Sequence, residues 1–183
     1  MALKANILKA ELTVSNMDVH YYDTVNLTLA QHPSETDERL MIRLLAYAML
    51  SSNEGEPLAF TKGLSADDEP ELWKKHLDGR VQLWVELGLP SDDRLRKACG
   101  LAEQVVLVVY GTDHSVSPWW AKIEDALSRF SNLQVLRIPH DGSTALTPLI
   151  SNSMAVQCMI QDGDIQLVCD DVAVSITPEV LRN

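Results

Sequence analysis

Strict alternation opens the chain: Ile7, Lys9, Glu11 and Thr13 fall on one side and Leu8, Ala10, Leu12 and Val14 on the other, the period of a half-buried strand. A strand over 5–14 is expected. Ser15, Asn16 and Asp18 are turn formers, and beyond them Val25, Leu27 and Leu29 alternate with Asn26 and Thr28, so a second strand should pair back as an antiparallel hairpin. His32-Pro33-Ser34-Glu35-Thr36-Asp37 then carries a helix-start signature, with proline at the entry and a serine followed three residues later by an acid. It predicts a helix over 35–51. Met41, Leu44, Leu45, Ala48 and Met49, with Ile42, Ala46 and Tyr47 beside them, make that helix hydrophobic over most of its circumference, as a central helix must be.

Asn53 to Pro57 break the pattern, and Leu58, Phe60 and Thr61 suggest a short strand ending at Gly63. The acidic run Asp67 to Glu71 leads into a predicted short helix over 72–76, with a turn at Leu77-Asp78-Gly79. A strand follows over 81–89, with Val81, Leu83, Val85, Leu87 and Leu89 on one face and Gln82, Trp84, Glu86 and Gly88 on the other. Ser91, Asp92 and Asp93 cap a helix reaching 103, whose buried stripe is Leu95, Ala98, Cys99 and Ala102. Val105 to Tyr110 reads as a buried strand, so strand, helix and strand form a right-handed parallel crossover. An amphipathic helix over 119–130 and a strand over 133–138 come next. In the last forty residues, 154–160, 165–168 and 172–176 are strand-like, and Asp162-Gly163 is a hairpin turn. No repeat or low-complexity linker divides the chain. One mixed α+β domain over 1–183 is expected, with an N-terminal hairpin, a central mixed sheet flanked by helices, and antiparallel strands at the C-terminal end.

Composition narrows the function. Twenty-six acids against fifteen bases leave a charge of −11, and such a surface repels phosphate backbones. The chain is a poor candidate for a nucleic-acid coat protein, and any nucleic-acid chemistry must come from a local site. Apolar runs such as Val105 to Tyr110 fall far short of the roughly 20 residues of a membrane span, and the first twenty residues hold no apolar signal core. A cytoplasmic location is expected. Cys99, Cys158 and Cys169 are an odd number without a C-x-x-C pair, which suits reduced core thiols. The five histidines are scattered, and the P-loop, dinucleotide, nucleophile-elbow and zincin motifs are absent.

Acids in awkward places carry more information than acids in general. Glu86 stands in mid-strand between Trp84 and Gly88. Either its face is wet, or a metal, a cation or a hydrogen-bond donor answers it. Asp67 and Asp68 sit before Pro70, where either could cap the predicted short helix. Glu35 and Arg39 are spaced as an i, i+4 pair worth only about 0.3–0.5 kcal/mol when exposed. Arg94 and Lys97 occupy neighbouring turns on the polar side of the helix after the Glu86 strand. An acidic loop at 67–68, a carboxylate at 86 and a lysine on the next helix could converge on Mg²⁺, provided that two carboxylate oxygens come within about 4 Å of each other.

Three segments carry a resemblance: His32-Pro33-Ser34-Glu35-Thr36-Asp37-Glu38-Arg39, Phe60-Thr61-Lys62-Gly63-Leu64-Ser65-Ala66-Asp67-Asp68-Glu69-Pro70-Glu71, and Leu83-Trp84-Val85-Glu86-Leu87-Gly88-Leu89-Pro90. With Met1 to Ala5 and Ile160 to Gly163 they make the chain resemble the YaeQ family of bacterial proteins along essentially its whole length. The resemblance implies a variant of the PD-(D/E)XK nuclease fold, in which acids on adjoining strands hold a divalent metal. On that pattern Asp68, with Asp67 as its competitor, is the first metal-binding acid, Glu86 opens the (D/E)-x-K element, and Glu38 is the first-helix acid. The residue two after Glu86 departs from the pattern, being Gly88 rather than lysine. Lys97 is then the candidate replacement.

Two functions follow. One is an Mg²⁺-dependent, or Mn²⁺-dependent, phosphodiesterase acting on nucleic acid, with Asp68 and Glu86 on the metal, Glu38 orienting it or a water, Lys97 stabilising phosphate charge, and Arg39 or Arg43 contacting phosphate. The other is a catalytically silent relative of that fold serving binding or regulation through a protein partner, a view that the net charge favours.

Overall fold

The computed structural model describes residues 5–65 and 68–183. In chain order its elements are β1 (Asn6–Asn16), β2 (Tyr21–Gln31), α1 (Asp37–Leu50), β3 (Ala59–Phe60), β4 (Leu72–Lys75), β5 (Val81–Leu87), α2 (Asp92–Leu101), β6 (Ala102–Val109), α3 (Asp113–Leu127), β7 (Leu133–Arg137), α4 (His140–Ala145), β8 (Ser153–Gln161), β9 (Asp164–Cys169), β10 (Val172–Ile176) and β11 (Glu179–Arg182). The architecture is α+β, with two mixed sheets and four helices among the described residues. Two compact units divide the chain, one from residues 5–53 and 141–177, the other from 54–140 and 178–183.

The first unit carries a five-stranded sheet in the order β10-β9-β8-β1-β2. The expected hairpin is present, β1 pairing antiparallel with β2 along eleven residues, while the other edge of β1 pairs in parallel with β8. Alternation decides what the sheet buries. Leu8, Ala10, Leu12 and Val14 of β1 and Met154, Val156, Cys158 and Ile160 of β8 all lie in the core. Between β8 and β9 the loop is Asp162-Gly163, both with positive φ (+54° and +81°), the conformation that favours Asp-Gly there. Asp18 fastens it, its carboxylate accepting the backbone N–H groups of Asp162 at 2.7 Å and Gly163 at 2.9 Å.

Helix α1 starts at Asp37 rather than 35. Its N-cap is Thr36, whose hydroxyl accepts Arg39 N–H at 3.1 Å. Every residue from Leu40 to Ala48 is buried, as all-round hydrophobicity requires. Glu35 stands outside the helix, so the expected Glu35–Arg39 spacing has no meaning. Its Oε2 instead meets Arg43 Nη2 at 3.1 Å, in a pair whose side chains are 2% and 5% exposed.

A six-stranded sheet in the order β11-β7-β6-β5-β4-β3 organises the second unit. Strands β5, β6 and β7 are parallel neighbours, as the crossover through α2 dictates, and β3, β4 and β11 are added antiparallel. Leu95 and Ala98 of α2 and Val116, Ile123 and Leu127 of α3 pack on Trp84, Val105, Leu107, Val109, Leu133 and Val135. Trp119 Nε1–H donates to the Pro90 carbonyl at 2.9 Å, fixing α3 to the loop before α2.

Some expectations are corrected here. Residues 72–75 form strand β4, not a short helix, because Leu72 and Lys74 turn inward while Trp73 and Lys75 lie on the other side and pair with β5. Helix α3 begins at Asp113 instead of 119, so Pro118 lies within it. Helix α4 and strand β11 were not expected. The three cysteines are free and buried, and burial pushes the Cys158 thiol up to about 12. Among the described residues no helix is long and apolar enough to cross a membrane.

Candidate functional site

Strand β5 brings Glu86 to the end of the second unit's sheet, and its face is not wet. The residue is 3% exposed, because it shares its side of β5 with Trp84, whose ring belongs to the core beneath α2 and α3. Among the described residues two donors answer the carboxylate, and both take the same oxygen. Trp84 Nε1–H donates to Glu86 Oε1 at 2.8 Å, and Arg94 Nη2 meets Oε1 at 2.8 Å. Arg94 reaches there because Ser91 caps α2, its hydroxyl accepting Arg94 N–H at 3.3 Å, which sets Arg94 in the first turn above the strand. The same Nη2 donates to the Glu69 carbonyl at 2.7 Å, tying the loop before β4 to the site.

A second buried carboxylate stands beside the first. Glu71, immediately before β4, is 4% exposed, and its N–H donates to the Val85 carbonyl at 2.9 Å. The β4–β5 register pairs Leu72 with Val85, so one step further along the ladder Glu71 neighbours Glu86. Burial is the main cause that pushes the Glu86 carboxyl above its ordinary range; the Arg94 guanidinium and the Trp84 N–H draw it back, and the charge of Glu71 pushes it up further.

Of the other sequence candidates, Asp68 and Lys97 belong to the second unit and Glu38, Arg39 and Arg43 to the first. Asp68 lies in an exposed turn, and Asp67 falls outside the described residues. Lys97 is exposed on α2, three residues beyond Arg94. Glu38, Arg39 and Arg43 belong to α1 of the first unit. There Glu38 Oε1 accepts the Ser143 hydroxyl at 2.6 Å, while Arg43 is buried, with Nη2 on Glu35 and on the Ala30 carbonyl at 3.0 Å. Among the described residues no group of three or more His, Cys, Asp or Glu side chains is assembled as a metal site. What the structure does bring together is Glu71, Glu86, Trp84 and Arg94. The sequence hides Glu71 because 72–76 fits a short helix; as strand β4, 72–75 sets it beside Glu86.

The family model of the YaeQ protein matches residues 1–178. The chain belongs to the YaeQ family. It is 41% identical over 170 residues to the YaeQ protein of Escherichia coli (strain K12), covering 93% of this chain and 92% of that one. The YaeQ protein of Salmonella typhi is 41% identical over 167 residues, covering 91% and 90%. The crystal structure of YaeQ from Xanthomonas axonopodis pv. citri superposes with a TM-score of 0.92 at 43% identity, covering 97% of this chain and 98% of that one. The structure of the Pseudomonas syringae YaeQ protein does so at 0.91 and 34%, covering 98% and 97%. The mixed α+β arrangement is thus that of solved YaeQ proteins.

In this YaeQ chain the position two after Glu86 has a backbone reason for being glycine. Gly88 takes φ +86° while its N–H donates to the Val108 carbonyl at 3.0 Å, as the chain leaves β5 for α2. A side chain there costs about 1–2 kcal/mol. Gly88→Lys is therefore expected to lower the urea unfolding free energy by about that amount, and an unchanged midpoint would contradict it.

The raised Glu86 carboxyl also gives a pH signature. Between the ordinary value of 4.5 and the higher folded one, the folded chain holds more protons than the unfolded chain, so stability falls as pH rises through that window. Glu86→Gln keeps an oxygen for Trp84 and removes the titration. The difference between wild-type and variant stabilities, followed by urea unfolding from pH 4 upward, should shift in the variant's favour as pH rises; a constant difference would contradict the raised carboxyl.

Proposed function

We propose that this YaeQ protein is a metal-dependent phosphodiesterase of the PD-(D/E)XK type whose centre lies in the second unit, with Glu71 and Glu86 holding Mg²⁺ or Mn²⁺. The observation that carries this reading is the adjacency of two buried carboxylates at neighbouring strands, beneath the first turn of α2. Two ionised acids so placed repel each other and are costly to desolvate, and hard carboxylate oxygens are the donors that these cations take. Trp84 and Arg94 both meet Glu86 Oε1, and Oε2 is the oxygen we assign to the metal. Trp84 orients the carboxylate, and before metal binds Arg94 supplies the positive charge that the strand lacks at Gly88. Lys97, on the next turn and exposed to solvent, is suited to a phosphate approaching from outside. The metal would stabilise charge developing on phosphate and acidify an attacking water. We assign the first-acid role to Glu71 in preference to Asp68, whose turn is exposed.

Calorimetric titration with Mg²⁺ and Mn²⁺ tests the reading. Wild type and Asp68→Asn should bind alike, whereas Glu86→Gln and Glu71→Gln should weaken binding at least about tenfold, the loss expected when one of two charged ligands goes. Binding that Glu86→Gln leaves unchanged would reject the site. Cleavage of single-stranded, duplex and branched nucleic acid then separates an enzyme from a silent metal binder. One observation favours the alternative of a silent binding or regulatory module: the guanidinium of Arg94 already satisfies Glu86 Oε1.

A further inference from the structure

Arg94 has an unusual combination of partners. Its Nη2 lies 2.8 Å from Glu86 Oε1 and 2.7 Å from the Glu69 carbonyl, on a side chain 29% exposed. One nitrogen therefore links the buried acid and the loop before β4, on a side chain that is partly open to solvent. We propose that Arg94 is a built-in competitor for the cation position beside Glu86: a divalent ion and this guanidinium cannot share the carboxylate without strong like-charge repulsion, so metal entry displaces Arg94 outward. The inference rests on the reading of Glu71 and Glu86 as a metal pair.

The arrangement suits exchange rather than a fixed brace. Trp84 Nε1–H holds Oε1 independently of Arg94, so the carboxylate keeps an orienting donor when the guanidinium leaves. The Arg94 backbone is held by Ser91 at the start of α2, so only the side chain needs to move. Partial exposure gives that side chain a route to water, and a guanidinium released at the rim is matched to the two oxygens of a phosphate or carboxylate. Release also removes its bond to the Glu69 carbonyl, which couples metal entry to loosening of the loop before β4.

Two measurements test this. In wild-type chain, the Arg94 Nε–Hε resonance, assigned by its loss in Arg94→Met, should move towards a solvent-exchanging arginine as Mg²⁺ saturates. In calorimetry at pH 8.5, Arg94→Met should bind Mn²⁺ at least tenfold more tightly than wild type, and Glu86→Gln added to it should abolish that gain. Circular dichroism checks that the variants fold; if Arg94→Met does not, the wild-type resonance decides, assigned then through Arg94→Lys. Metal binding that needs Glu86 yet leaves the Arg94 resonance in place, or weakens in Arg94→Met, overturns the competitor while sparing the metal pair. Absence of metal binding in every variant overturns both.

Discussion

Arg43→Ala is expected to cost about 3–5 kcal/mol of folding stability, because it strands a carboxylate in the interior. Glu35 and Arg43 are nearly closed to solvent, and Arg43 also holds the Ala30 carbonyl at the end of β2. With native domains stable by only about 5–15 kcal/mol, urea unfolding should reveal the change at once. The double substitution Glu35→Gln with Arg43→Met should recover much of the loss, since no unpaired charge is left behind. An arginine kept free for phosphate would behave differently: its removal would leave stability within about 0.5 kcal/mol, as for most surface substitutions. That outcome would reject the structural role.

Trp84→Ala should cost about 3–5 kcal/mol, the range for removing a large aromatic from a core. Trp84 is 3% exposed and packs among Leu95, Val105 and Leu107. Its second effect reaches the site. Without the indole N–H, Glu86 Oε1 loses one of the donors that draw its carboxyl back. Trp84→Phe separates the two contributions, since it retains most of the packing and removes the donor. It should lose less stability than Trp84→Ala. Equal stability losses in the two variants would mean that packing carries none of the effect.

How far the sequence discloses this molecule depends on how many local signals agree. The β1–β2 hairpin, α1 and the β5–α2–β6 crossover were legible because periodicity, caps and turns pointed the same way. Asp162-Gly163 was legible from two residues, since its backbone conformation suits few others. Leu72-Trp73-Lys74-Lys75 was not: four residues fit a helical turn as well as a strand, and pairing with β5 settles them. The site inherits that ambiguity. Glu86 was conspicuous by its mid-strand setting, but its neighbour Glu71 becomes visible only once β4 is a strand. Lys97 stands out in the sequence as a lysine on the next helix, while the cation that meets Glu86 is Arg94, from one turn earlier on the same helix. Glu35 escaped for a similar reason, since burial and its partner Arg43 are tertiary facts with no mark at the i, i+4 spacing.

The parallel join of β1 to β8 bears on synthesis. Lys9 pairs with Ser153 and Val14 with Cys158, so the inner edge of the first hairpin finds its neighbour only after well over a hundred further residues have been made. Emerging from the ribosome, that hairpin must remain unpaired on one side for several seconds at typical elongation rates. Meanwhile the intervening segment supplies β3 to β7 of the other unit, which can acquire most of its own core first. Assembly should therefore run from the middle outward, and the nascent chain's hazard is premature pairing of its earliest strands with those of another copy.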